Sequence, residues 1–441
     1  MTPVETGLIG IAILLVMLFL RIPIGVAMIS VGLGGYAALN GVGNTLNYIK
    51  TATYWRFSTY DLSVIPMFLL MGEFAAGAGL SRSLFRAAAA MVGHRKGGIA
   101  ISVIAACAAF GAICGSSLAT AATMTRVSLP EFSRYKYSPA LATGSLAAGG
   151  TLGILIPPSI ALVIYAIIVE GNIVSMFAAA LIPGLLAACG YVVATRVYVW
   201  LNPEAGPAGE RIGGRERVRA LIETWPIALI FFLVIGGIYL GWFTPTEAAA
   251  IGAFGTGAVA VWRGGMRWEG FIEAVLRTAS ATAMIFLIVL GAEFLNSFFA
   301  LTRISMEAAD WITTSSLSPF MVVAVIMVIY LILGCVMDSL SMILLTLPIF
   351  WPILSTMDFG MDPEHMKMWF GVLVLVVVEF GLITPPVGLN IAIIGSMAPH
   401  IATRDIYRGV VPFIVSDIVR IALLFFFPII SLALPLLLGA R

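Results

Sequence analysis

The chain has 441 residues, of which 61% are hydrophobic and only 10% are charged. A mean hydropathy of +1.06 excludes a water-soluble globular protein, because such a protein does not tolerate that much apolar surface. The formal net charge of +2 carries little information about partners.

Apolar runs of about 18 to 25 residues, long enough to cross roughly 30 Å of hydrocarbon, recur along the chain. The first run predicts a retained span rather than a signal peptide, because no basic segment precedes it and it continues to Leu20. The predicted spans cover about 5–20, 24–40, 61–79, 139–168, 175–200, 220–241, 246–262, 277–300, 368–398 and 408–436. Two further apolar segments, about 99–130 and 319–352, are predicted to be re-entrant hairpins that enter and leave by one face.

The loop charges support this topology. With both hairpins re-entrant, most arginine and lysine residues in loops fall on one side of the membrane. The other side keeps Lys50, Arg56, Arg303, Lys367 and Arg441. This asymmetry satisfies the positive-inside rule and predicts that both termini lie outside.

The chain contains two similar halves. The motif GILIPP, which begins at Gly153, matches GLITPP, which begins at Gly381, at an offset of 228 (381 − 153). LLMGEF matches VLGAEF and GAICGSS matches GCVMDSL in the same order. Each half has an odd number of predicted spans, so the second half must be inverted relative to the first, as in many secondary transporters. We predict an all-α polytopic membrane protein with a first inverted repeat at 1–201, a polar cytoplasmic linker at 202–219 and a second inverted repeat at 220–441.

Adjacent prolines interrupt one apolar helix in each half. Pro157 and Pro158 remove the N–H partners of the Gly153 and Ile154 carbonyls. Pro385 and Pro386 do the same for Gly381 and Leu382. An orphaned carbonyl is costly in hydrocarbon, and a bound cation satisfies it.

The hairpin turns add side-chain oxygen atoms, of which the spans have few. They are Ser116, Ser117 and Thr120 in the first hairpin, and Asp338, Ser339 and Ser341 in the second. Carbonyl, hydroxyl and single carboxylate ligands suit a hard monovalent ion such as Na⁺, so we predict one Na⁺ site per half. The alternative is that neighbouring groups repair the breaks and the small residues only permit close helix packing. Further candidate ligands are Thr151, Ser159, Thr384 and Asn390.

Other ionisable residues within apolar segments are candidates for function. Arg303 heads the second hairpin on the outer side, where it could meet an anionic substrate or could be a solvated loop arginine. The remaining members include Glu73, Glu293, Glu379, Asp417 and Arg420. Glu73 and Glu293 are equivalent positions of the two halves, and Asp417 and Arg420 are expected to be structural.

Intramembrane enzymes and ion channels are alternatives of a different class. All three histidines fall in predicted loops, which argues against a zinc, haem or Ser–His centre within the membrane. No phosphate-loop motif is present, so ATP is not expected to drive the protein. The inverted halves with closed hairpins argue against a channel.

The hairpin GAICGSSLATAATM, the paired motifs GILIPPS and GLITPPVGLN, the IPG at Ile182 and the RGVVPF at Arg408 resemble one family over essentially the whole chain. It is the large (DctM-like) membrane subunit of tripartite ATP-independent periplasmic (TRAP) transporters. The resemblance implies Na⁺-coupled, elevator-type uptake of a small organic anion, such as a C4-dicarboxylate, sialic acid, keto acid or sulfonate. It also implies a bacterial inner membrane location with periplasmic termini, a separate small four-span (Q-type) membrane subunit and a periplasmic substrate-binding (P-type) protein. The alternative is a stand-alone Na⁺/anion symporter that needs no binding protein.

The resemblance and the orphaned carbonyls together assign site residues. The first Na⁺ site would comprise Ser116, Ser117, Gly153, Ile154 and Pro157. The second Na⁺ site would comprise Gly334, Asp338, Gly381, Leu382 and Thr384. The substrate, lying between the hairpin tips, would contact Ser117, Thr120, Ser159, Ser339, Arg303 and Asn390.

Overall fold

The computed structural model describes residues 2–304, 306–308, 310 and 318–439, and these residues form helices without any strand. The helices of the first half are α1 (Pro3–Phe19), α2 (Ile24–Asn40), α3 (Val42–Phe57), α4 (Val64–Gly77), α5 (Leu80–Val92), α6 (Gly98–Cys114), α7 (Ser117–Arg134), α8 (Pro139–Leu155), α9 (Ile160–Ile168) and α10 (Ile173–Leu201). Those of the second half are α11 (Gly214–Ile222), α12 (Trp225–Tyr239), α13 (Pro245–Trp262), α14 (Trp268–Thr302), α15 (Pro319–Gly334), α16 (Ser339–Leu354), α17 (Pro363–Leu382), α18 (Leu389–Met397), α19 (Thr403–Phe426) and α20 (Ile429–Leu437).

Length and hydropathy identify five helices in the described chain that can each cross a membrane, and up to seven spans if two bent pairs are included. One bent pair is α8 with α9, which meet at 44° across the first proline pair. Both proline pairs contain a cis peptide bond. The hairpin helices α6, α15 and α16 are shorter apolar helices, as are α1 and α2.

The predicted series of helices was wrong in two places. The predicted span at 408–436 is divided into α19 and α20, because Pro428 follows the end of α19 and cannot continue its hydrogen bonding. The prediction also missed α3, whose polar residues lower its hydropathy below that of a spanning helix.

Local capping explains where the helices begin. Thr2 and Thr244 each form a capping box with a glutamate three residues later, and a proline occupies the first helical position after each. The two hairpin turns are also capped: Ser116 caps α7 and Asp338 caps α16. Gly115 ends α6 with a φ of 62°, a left-handed conformation that glycine adopts without strain. The turn between α6 and α7 therefore needs only two residues.

In one group of helices, each helix packs against a helix from the other half of the chain. α2 packs along α14, and α13 packs along α4. A Cβ atom on Gly32 would lie 2.6 Å from the Phe294 carbonyl carbon, so glycine lets α2 approach the backbone of α14. Arg56 pairs with Glu293 and Arg277 pairs with Glu73, both at 3.8 Å. Each half thus supplies the arginine for the glutamate of the other half.

The hairpins and broken helices form a second, more buried group. α8 packs against α6, α7 and α19, and α17 packs against α15. The backbones of α8 and α19 are in direct contact at Gly144 and Gly409, where neither residue has room for a side chain. α18 also crosses between the halves, since it contacts both α7 and α8.

Candidate functional site

The two hairpin tips meet at one buried carboxylate. Ser117, the first residue of α7, donates a hydrogen bond to Glu379 Oε2 at 2.5 Å. Ser339, the first residue of α16, donates to Glu379 Oε1 at 2.9 Å. Glu379 lies in α17 and is 1% exposed. A single side chain thus joins the tip of one hairpin to the tip of the other.

This arrangement determines what the two serines offer to a ligand. A serine hydroxyl has one proton and two lone pairs, and each of these two hydroxyls donates its proton to an oxygen of Glu379. Because both protons are donated to Glu379, Ser117 and Ser339 present oxygen lone pairs to their surroundings. Lone pairs bind a cation and repel a carboxylate. Glu379 was absent from the predicted site; its signal in the sequence is a glutamate two residues before GLITPP.

At the first break, buried oxygen atoms converge on Gly153. A Cβ atom there would lie 2.7 Å from Thr120 Oγ1 and 2.8 Å from the Ser116 carbonyl oxygen. Thr120 Oγ1 is buried and has no hydrogen-bond partner in the described chain. Gly111 of α6 contacts the Gly153 backbone on another side.

The carbonyls released by the first proline pair stay unpaired within the described residues. Hydrogen bonding at the end of α8 stops with the bond from the Ile156 N–H to the Leu152 carbonyl, at 3.2 Å. No donor bonds to the carbonyl of Gly153 or Ile154 there. Residues 151 to 160 are all buried, so bulk water does not satisfy these oxygens either.

The second break has a related backbone arrangement but is less enclosed. Gly381 contacts Gly334 of the second hairpin, where a Cβ atom on Gly381 would lie 2.6 Å from the Gly334 carbonyl carbon. The expectation that Pro385 orphans the Gly381 carbonyl was wrong, because this oxygen accepts the Thr384 N–H at 3.1 Å. No described donor bonds to the Leu382 carbonyl. Pro385, Pro386 and Val387 are exposed, unlike the first break.

Protein donors also occupy other oxygens of the second break. The Tyr407 hydroxyl donates to the Pro386 carbonyl at 2.8 Å. Cys335 Sγ donates to the Pro385 carbonyl at 3.3 Å. Thr384 Oγ1 donates to the Phe380 carbonyl at 2.6 Å. Asp338 Oδ2 accepts the Ser341 N–H at 3.0 Å, which leaves most of its acceptor capacity available.

The remaining predicted substrate residues are dispersed. Ser159 is buried and accepts the Leu162 N–H as the N-cap of α9, at 3.4 Å. Asn390 of α18 is buried beside α8, where its Nδ2 donates to the Ala147 carbonyl at 3.2 Å and its Oδ1 has no described partner. Arg303 caps the C-terminal end of α14 and is exposed; in the described chain it has no hydrogen bond or ion pair to the other predicted site residues.

The donor chemistry of these sites consists of carbonyl, hydroxyl and carboxylate oxygen. Within the described residues, no three histidine, cysteine, aspartate or glutamate side chains converge as transition-metal ligands would. The orphaned Thr120 hydroxyl and the cradle at Gly153 fit a small hard cation.

Comparison with known proteins places the chain among membrane transporters. Residues 11–430 match the family model described as the tripartite ATP-independent periplasmic transporter, DctM component. The C4-dicarboxylate TRAP transporter large permease protein DctM of Pseudomonas aeruginosa is 36% identical over 86% of this chain and 87% of its own length. The sialic acid TRAP transporter large permease protein SiaM of Vibrio cholerae is 31% identical over 95% of this chain and 96% of its own.

A solved structure shares the fold. The crystal structure of the YdaH transporter of Alcanivorax borkumensis covers 87% of this chain and 89% of its own, with a TM-score of 0.61. Its sequence identity of 16% supports a common fold and nothing finer.

Proposed function

Because the chain belongs to the DctM family of tripartite ATP-independent periplasmic transporters, we propose that it imports a small organic anion coupled to Na⁺. It is a transporter permease subunit of the membrane and not an enzyme. The observation that carries the Na⁺ coupling is the cradle at Gly153, where the unpartnered Thr120 hydroxyl and the Ser116 carbonyl lie against a buried backbone that has no side chain.

The first Na⁺ site is proposed from the oxygens around Gly153. Its ligands are the carbonyls of Ser116, Gly153 and Ile154 and the Thr120 hydroxyl, while Pro157 leaves the Gly153 carbonyl free. Thr120 thereby moves from the predicted substrate contacts to the cation ligands. A Na⁺ bound here would supply positive charge inside the membrane and would favour a nearby anion.

The second Na⁺ site is proposed around Leu382. Its candidate ligands are the Leu382 and Gly334 carbonyls, Asp338, and the second lone pair of the Gly381 carbonyl. The Thr384 hydroxyl proton is engaged with Phe380, so its oxygen can accept a cation. The greater exposure of this break suits an ion that enters and leaves more readily.

The substrate is proposed to lie between the hairpin tips. Glu379 and the lone pairs of Ser117 and Ser339 would repel a carboxylate, so the two cations are needed to bind an anion there. This requirement couples uptake to Na⁺ by electrostatics. C4-dicarboxylates and sialic acids, carried by the named relatives, are the first substrates to test.

Two inverted repeats and an elevator movement are also part of the proposal. The exchanged ion pairs support the repeats, since Arg56 and Arg277 differ by 221 positions (277 − 56) and Glu73 and Glu293 by 220 (293 − 73). Such reciprocal pairing is what a two-fold axis between equivalent halves produces. The hairpins and broken helices would move as one body against the group containing α2, α4, α13 and α14.

The proposed system has two partners and a defined orientation. A small four-span membrane subunit would complete the membrane part, and a periplasmic binding protein would deliver the anion. Both termini would lie on the periplasmic side of the bacterial inner membrane.

Reconstitution tests this proposal directly. Proteoliposomes containing the chain and its small subunit are supplied with radiolabelled succinate or sialic acid, with and without the purified binding protein. We expect uptake that requires an inward Na⁺ gradient and the binding protein. Equal uptake with choline replacing Na⁺ would refute the coupling. Na⁺-dependent uptake without the binding protein would favour the stand-alone symporter.

A further inference from the structure

A chain of buried polar side chains joins α19 and α10 to the broken helix α8. Asp417 and Arg420 lie one turn apart on α19, their side chains 1% and 3% exposed, with Arg420 Nη2 at 2.8 Å from Asp417 Oδ1. The Tyr191 hydroxyl on α10 donates to Asp417 Oδ2 at 2.8 Å. Thr151 Oγ1 on α8 lies 2.9 Å from the Tyr191 hydroxyl oxygen. Asp417 and Arg420, expected from the sequence to be structural, are therefore one end of a longer network.

The protons in this network have one direction. A guanidinium only donates and a carboxylate only accepts, so the single Tyr191 proton is used on Asp417. The single Thr151 proton is then shared between two acceptors, the Ala148 carbonyl oxygen at 2.7 Å and the Tyr191 hydroxyl oxygen at 2.9 Å. Thr151 thereby ties α8, the helix that carries the Gly153 and Ile154 carbonyls, to Tyr191 of α10.

The network ends beside the first proline break. Thr151 is in the last turns of α8, two residues before Gly153. α10 also contacts α8 beyond Gly153, because a Cβ atom on Gly184 would lie 3.1 Å from the Leu155 carbonyl oxygen. α10 therefore contacts α8 on both sides of Gly153, the glycine that faces the unpartnered Thr120 hydroxyl.

The ring of Tyr191 is itself fixed in place. The tyrosine is fully buried, and the Arg420 guanidinium lies over its ring at 5.8 Å from the centroid. Phe413 packs edge-on against the same ring at 5.6 Å. Contacts to the ring and to the hydroxyl leave Tyr191 one position, and Thr151 takes its own position from it.

We propose that Tyr191, held by the Asp417–Arg420 pair, is a positioning residue for the first Na⁺ site and sets its Na⁺ affinity through Thr151. The inference rests on the proposed Na⁺ coupling. It adds α10 and α19 as elements that tune the site without contributing a ligand. Tyr191→Phe removes the hydroxyl, with its bonds to Thr151 and Asp417, and keeps the buried ion pair and the ring.

The test measures Na⁺ binding by the full chain in detergent, without any substrate. The unfolding temperature is followed as NaCl replaces choline chloride at constant ionic strength. Losing the buried hydrogen bond to Thr151 corresponds to about a fivefold change in affinity. Tyr191→Phe, which also loses the bond to Asp417, is therefore expected to raise the Na⁺ midpoint by about fivefold or more. Tyr165→Phe is the matched control: Tyr165 is also fully buried, and its hydroxyl donates to the Lys367 carbonyl, at 2.9 Å, away from this network.

A second pair of variants leaves the ion pair and the tyrosine intact. Thr151→Val removes the hydroxyl and is expected to raise the midpoint, whereas Thr151→Ser keeps it and is expected to match the wild type. A wild-type midpoint in Tyr191→Phe or Thr151→Val, or an equal shift in Tyr165→Phe, would overturn the inference. A wild-type chain without any Na⁺ response would overturn the proposed coupling itself, together with this inference.

Discussion

Replacement of Gly153 by alanine is the most direct test of the first cation site. The added methyl carbon would lie 2.7 Å from Thr120 Oγ1 and 2.8 Å from the Ser116 carbonyl oxygen, whereas ordinary contacts begin at 3.4 Å. The two oxygens would have to move by 0.7 Å (3.4 − 2.7) and 0.6 Å (3.4 − 2.8), respectively. The methyl group therefore takes the volume in which we place the ion.

Two effects of Gly153→Ala are expected, and they are separable. Overpacking a buried site typically lowers the free energy of unfolding by about 1 to 3 kcal/mol. Loss of ligand geometry should raise the Na⁺ concentration for half-maximal uptake by at least about tenfold, which corresponds to about 1.4 kcal/mol. Uptake into proteoliposomes at varied external Na⁺ measures the second effect, and denaturant unfolding in detergent measures the first.

Gly149→Ala provides the matched control. Gly149 lies one turn earlier in α8, and a Cβ atom there would meet Cys107 Sγ at 2.8 Å, an equally tight contact that faces α6. It should lower stability similarly and leave the Na⁺ dependence unchanged. The reasoning is refuted if Gly153→Ala keeps the wild-type half-saturation, or if both variants shift it equally.

Three further predictions concern the hairpin tips and the exchanged ion pairs. Glu379→Ala should abolish uptake because it leaves two buried hydroxyls without their acceptor. Glu379→Gln retains one carbonyl acceptor and should keep partial uptake. Equal uptake by the two variants would contradict the proposed role of Glu379 as the shared acceptor. Asp338→Ala should abolish Na⁺-dependent uptake while the protein still inserts. Asp338→Asn preserves the helix cap but removes the charge, and it should also abolish uptake because the cation site needs that charge. Normal uptake by either variant would remove Asp338 from the second site. A double-mutant cycle on Glu73 and Arg277, whose side chains are 33% and 63% exposed, should give a coupling of about 1 kcal/mol or less in unfolding experiments. A larger value would show that these charges are desolvated.

The membrane class, the hairpins and the two proline breaks could all be predicted from local sequence. The length of an apolar run indicates whether it can cross a bilayer, and a proline interrupts helical hydrogen bonding whatever its tertiary surroundings. Ser116 and Asp338 cap their helices because of their own side chains and the residues next to them.

The register between the halves could not be predicted in this way. Matching GAICGSS with GCVMDSL pairs Gly115 with Asp338, yet the equivalent helix caps are Ser116 and Asp338. The second turn is longer, since α15 ends at Gly334 and α16 begins at Ser339. Aligning the two halves by residue identity does not show that one hairpin turn is longer than the other.

The centre of the candidate site was decided by tertiary structure alone. Ser117 and Glu379 are 262 positions apart, and nothing near either residue in sequence indicates the other. The same holds for Tyr191 and Asp417, which are 226 positions apart. A sequence determines which residues can break or cap a helix and which segments can span a membrane, because those properties depend on residues that are close in sequence. Which hydroxyl gives its proton to which carboxylate depends on how the helices pack in three dimensions, and that choice determines whether a serine faces its ligand as a donor or as an acceptor.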